Sequence, residues 1–246
     1  MHGVAMDIEK TKFSKFYRWK PVRFVQLFVF IVVVMLLSPI LKRTPLLMVI
    51  LAAFFLNILI VTLSSAGYSP RRLWLLLPVW LIGTLLDSSE LLVKDPAASH
   101  LMTVASELVK TLLLTICVVM ILRYVLKSKE VTLDTVFGAL VAYLLIAFAF
   151  ASLYRAVAAI EPASFSMPAR VEGVHGLSAG FDFSYFSFVT IATLGYGDIV
   201  PRLPATQILA ILEAVIGQFF MAVVVAWLVS VLVAGRKKGS LVRKRR

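Results

Sequence analysis

The run Thr190-Ile191-Ala192-Thr193-Leu194-Gly195-Tyr196-Gly197-Asp198 breaks an otherwise apolar stretch of the chain. It sets a tyrosine between two glycines. The apolar segment leading into it, Phe181 to Ala192, falls well short of the ~20 residues a helix needs to cross a bilayer. Long apolar runs lie on both sides, so the segment reads as a re-entrant helix that ends in an irregular loop. Asp182 or Ser184 is the expected N-cap of that helix. Phe183, Tyr185, Phe186 and Phe188 are expected to form an aromatic cuff around the loop.

The rest of the chain puts this loop in a membrane. Of 246 residues, 61% are hydrophobic and 15% charged, against roughly half apolar for a soluble domain. The polar residues are too few to cover a soluble core of that size. The length suits about five to seven spans and leaves no room for a large soluble domain. The net charge of +12 does not indicate nucleic acid, because the basic residues sit at the ends and between apolar runs. That is the pattern of cytoplasmic segments, which can also touch anionic lipid headgroups. Cys117 is the single cysteine, and His2, His100 and His175 are scattered. None has metal-ligand spacing, and no cofactor is expected. Nor does a nucleophile–base pair point to an enzyme.

Six spans follow from the hydropathy: Phe24–Leu41, Pro45–Leu63, one starting near Leu73, Leu101–Leu126, Thr132–Ile160 and Ala205–Ala234. The third is the weakest, since its clean apolar part stops at Leu86. The first is too long for a signal-peptide core, and no small-residue cleavage site follows it. The expected fold class is an all-α integral membrane protein. It has six transmembrane helices, with the re-entrant helix and its loop between spans five and six. A basic N-terminus (1–23) precedes a four-span domain (24–127), a pore domain (131–235) and a basic tail (236–246). Basic residues at both ends, at Arg71/Arg72 and at Lys127/Lys129 place both termini in the cytoplasm of a multi-pass protein of the cell (inner) membrane. The Lys42/Arg43 turn would then lie outside, as the one exception.

A loop of this kind suits a cation that must shed its water. Rings of backbone carbonyls replace the hydration shell when several copies meet on an axis. Successive carbonyls point the same way when the backbone alternates in handedness, and Gly195 and Gly197 take positive φ at little steric cost. The Thr193 hydroxyl adds a further oxygen ring, and Tyr196 turns outward as a brace. The negative C-terminal end of the short helix favours a cation at the axis. The chain holds one such loop, so a four-fold ring implies a homotetramer.

At these residues the chain resembles potassium channels: Thr193-Leu194-Gly195-Tyr196-Gly197 matches the T-V-G-Y-G signature, with Asp198 as its following acid. It looks most like the bacterial ion-channel group with a two-helix pore, which has close counterparts of Tyr185 to Thr190, of Leu212-Glu213-Ala214 and of Gly217-Gln218. The likeness covers Phe181 to Gly235 and leaves the first 130 residues unassigned. It implies passive, potassium-selective conduction, with K⁺ held by Thr193, Leu194, Gly195 and Tyr196. Thr190, Tyr185, Asp198 and Glu213 are then the filter supports. It also implies a gating hinge at Gly217, whose alternative is plain helix packing. Val189 stands where some relatives carry an acid that pairs with the aspartate, so support for this filter must come from elsewhere. A non-selective cation channel, or a regulatory protein that keeps the pore fold, is the alternative.

Two further expectations concern the fourth span. Glu107 and Lys110 share a helix face and are expected to pair. Too few basic residues repeat along the span for strong voltage sensing.

Overall fold

A computed structural model describes residues 23–37, 45–65, 70–89, 96–128, 131–167 and 177–244. Seven α-helices occur among them: α1 (Arg23–Leu37), α2 (Pro45–Ser65), α3 (Pro70–Ser89), α4 (Pro96–Lys127), α5 (Leu133–Ile160), α6 (Leu177–Ile191) and α7 (Pro204–Lys244). Three of these, over Ala98–Lys127, Leu133–Ile160 and Pro204–Val231, are long and apolar enough to cross a membrane. At 15 residues, α6 rises about 22 Å and cannot span the ~30 Å hydrocarbon core.

Several boundaries differ from the sequence reading. Residues 38–41, the expected end of the first span, lie outside the described residues. The helix expected to be re-entrant, α6, begins at Leu177, so Asp182 and Ser184 lie inside it rather than at its cap. The apolar part of the last helix, Pro204–Val231, agrees with the sixth span, and the helix itself runs on through the basic tail to Lys244. Lysine and arginine are good helix formers, so charge alone gives no stop signal.

The core runs along α5, whose most extensive packing is against α4, with α1, α6 and α7 on its other sides. Its start is well specified. Thr132 caps it, and Thr132 and Thr135 bond reciprocally in a capping box. Asp134 in the first turn accepts the backbone N–H of Phe24 at 2.8 Å, which ties the start of α1 to the start of α5. Phe24 is fully buried and packs so closely on Gly138 that an added Cβ would stand 3.3 Å from its ring.

Beyond α5, a 3₁₀ turn (Pro162–Ser164) leads into β1 (Phe165–Ser166), which pairs antiparallel with β2 (Val200–Pro201). The backbone N–H of Arg202 donates to Ser164 O at 2.9 Å. This ribbon fastens the end of α5 to the segment just after the glycine loop.

Candidate functional site

The loop from Ala192 to Asp198 leaves the end of α6 through two tight backbone bonds, Thr193 N–H to Thr190 O and Leu194 N–H to Val189 O, each 2.9 Å. Its handedness then alternates. Thr193, Gly195 and Gly197 have φ of 58°, 60° and 78°, and these are the positive-φ residues among those described. The two glycines match the sequence reading. Thr193 does not, because a β-branched residue rarely takes a left-handed conformation. Such alternation is the backbone pattern that a ladder of carbonyls facing one side requires.

The loop is bare in the single chain. Leu194 is 58% and Tyr196 66% exposed. Large apolar side chains on α7, among them Ile211, Val215 and Phe219, are exposed as well.

Behind the loop the helices are held by polar contacts. Glu213 on α7 is fully buried. It accepts a hydrogen bond from the Tyr154 hydroxyl of α5 at 2.6 Å, and its other oxygen bonds Ser187 of α6. Ser187 Oγ also lies 2.6 Å from Ala147 O of α5. One carboxyl group thus joins three helices. Its hydrogen bonds go to Tyr154 and Ser187 and not to Tyr196; the Tyr196 ring stacks on Tyr185, with centroids 6.3 Å apart and planes at 16°.

Tyr185 also donates its hydroxyl to Asp198 Oδ2 at 2.8 Å, while Asp198 Oδ1 accepts the backbone N–H of Ile199. With Val189 unable to pair with Asp198, a tyrosine one helical turn earlier reaches it instead. The Thr190 hydroxyl donates back along its own helix, to Phe186 O at 2.8 Å. Phe183 and Phe186 pack edge-on against Phe165, Phe186 also against Tyr154, and Phe188 against Phe148.

Gly217 is buried where α7 crosses the end of α6. A Cβ there would lie 2.5 Å from Ile191 O and 2.7 Å from Ile191 Cγ1. The helix α7 continues unbroken through it.

Farther out, Glu107 is almost completely buried. It accepts Lys110 Nζ at 2.7 Å, as the sequence predicts. Its second cation, Arg155 of α5 at 2.8 Å, was not foreseen, because nothing in the local sequence of either helix connects them.

Residues 138–234 match the model of a family described as "ion channel". The matched part is under half of the chain and takes in most of α5, all of α6, the loop and most of α7. The match supports an ion-conducting role in general and points away from enzymatic chemistry. No curated protein and no solved structure gives a match.

Proposed function

We propose that four copies of this chain enclose one pore through which K⁺ passes passively and selectively. The observation that carries the reading is the alternation of left-handed residues at Thr193, Gly195 and Gly197. A strand of that form stacks carbonyl oxygens at successive levels, and a dehydrated K⁺ needs several such levels of ligands. In one chain those oxygens form only one side of a cage. The exposed loop and the exposed apolar residues of α7 supply the surface on which the other copies close it.

In this reading six spans cross the membrane with both termini in the cytoplasm, as the positions of the basic residues favour. Tyr185 and Asp198 support the outer end of the filter, and Glu213 ties together the helices behind it. Anionic lipid headgroups are the partners of the basic ends. The likeness to the T-V-G-Y-G signature and the match over residues 138–234 both support the pore.

The test is a flux assay on purified protein in liposomes, combined with native mass measurement. The reading expects tetramers and potassium flux that barium blocks. Equal passage of Na⁺ and K⁺ would favour a non-selective cation pore instead, and a monomer would refute the assembly.

A further inference from the structure

The last carbonyl of the re-entrant helix is held from two sides. Ile191 ends α6 and is 2% exposed. From α5, the Tyr143 hydroxyl donates to Ile191 O at 3.1 Å. From α7, the bare Cα of Gly217 faces the same oxygen, with room for no side-chain atom between them. The Tyr143 ring in turn packs on Phe220, one turn beyond Gly217, with centroids 5.4 Å apart. One carbonyl therefore meets both neighbouring helices two residues before Thr193, where the left-handed alternation begins.

We propose that Tyr143 and Gly217 are positioning residues that fix the base of the selectivity filter by clamping this carbonyl. Gly217 is then required for close approach rather than for bending. The inference rests on the channel reading above and deepens it. Two features favour contact over hinge. The helix runs without a break through Gly217. The obstruction facing an added Cβ is backbone as well as side chain, so rotating Ile191 would not relieve it. A methyl group at 217 must move either α7 or the end of α6. Because Thr193 follows within two residues, moving α6 shifts the lowest ligands in all four copies together and so changes the radius of their ring. A selective cage tolerates such a change poorly, since its ligands replace a hydration shell.

The test uses the full chain reconstituted in planar bilayers, with K⁺ on one side and Na⁺ on the other. Reversal potential and open probability are read from the same single-channel records. The clamp predicts that Tyr143→Phe, which keeps the ring on Phe220 but removes the donor, lowers the K⁺/Na⁺ permeability ratio about fivefold, the scale of one net hydrogen bond. Gly217→Ala lowers it further. A hinge predicts the opposite pattern, with an unchanged ratio and altered open probability in Gly217→Ala and no effect in Tyr143→Phe. That result overturns the inference. Should Gly217→Ala fail to assemble, Tyr143→Phe decides alone, and a ratio equal to wild type overturns the clamp. Wild-type protein that passes both ions equally defeats the potassium-selective reading itself. Selective wild type with selective variants defeats only the clamp.

Discussion

Tyr154 on α5 donates its hydroxyl to Glu213 on α7 at 2.6 Å, and so joins the two helices around a third. The third is α6, whose Ser187 takes the other carboxyl oxygen. All three residues are buried, so none can exchange its partner for water. Removing the carboxyl strands the Tyr154 hydroxyl, at about 1–3 kcal/mol for a buried group left unpaired, while Ser187 keeps Ala147 O as its acceptor. Glu213→Ala is expected to lower the thermal midpoint of the assembled protein and reduce potassium flux. Glu213→Gln keeps one acceptor for Tyr154 and offers an N–H toward Ser187, whose own proton then goes to Ala147 O. That variant is expected to stay near wild type in both measurements. Equal damage from both substitutions would mean that the charge, not the hydrogen bonding, matters.

Tyr185 touches the glycine loop twice, by stacking on Tyr196 and by its bond to Asp198, and on the proposed reading both contacts support the filter. Tyr185→Phe separates the two roles. A hydrogen bond to a charged group contributes about 1.5–3 kcal/mol. Its loss should therefore shorten the conducting lifetime of the filter by about tenfold or more while leaving assembly intact. Macroscopic currents that decay no faster than wild type would contradict this.

Gly197 has φ of 78°, where an L side chain costs roughly 1–2 kcal/mol. An added Cβ meets nothing within 4 Å in the single chain, so backbone strain rather than crowding within the chain is the effect to look for. Gly197→Ala is expected to abolish potassium selectivity while leaving the fold of the chain intact. Circular dichroism and a flux assay separate the two.

Lys110 is bonded to Glu107 on its own helix, and Arg155 of α5 shares that carboxylate. A basic residue held this way is poorly placed to move through the field. With few basic residues along α4, the effective gating charge should stay below about one elementary charge per subunit, since each full charge adds ~2.3 kcal/mol per 100 mV. Open probability measured across voltage checks this, and a steep curve would contradict it.

The sequence revealed the loop because its chemistry depends on residue type. Two glycines around a tyrosine after a short apolar segment are local features. The left-handed Thr193 was not legible. Its conformation is imposed by the bonds that close α6 at Thr190 and Val189, against its own preference. The start of α6 was misplaced because Asp182 and Ser184 are good caps by type, although the helix has already begun at Leu177. The ribbon of β1 and β2 has two residues on each strand, too few to show an alternating pattern. Arg155 meets Glu107, and Tyr143 meets Ile191, across helices far apart in the chain. Such pairs depend on packing that no periodicity reveals.

The most direct measurement is the zero-current potential of purified, reconstituted protein with KCl on one side and NaCl on the other. If left-handed turns at Thr193, Gly195 and Gly197 build a cage for dehydrated K⁺, that potential lies far from zero, with the sign of K⁺ leaving its own side. A value at zero, with channels open, would contradict the account.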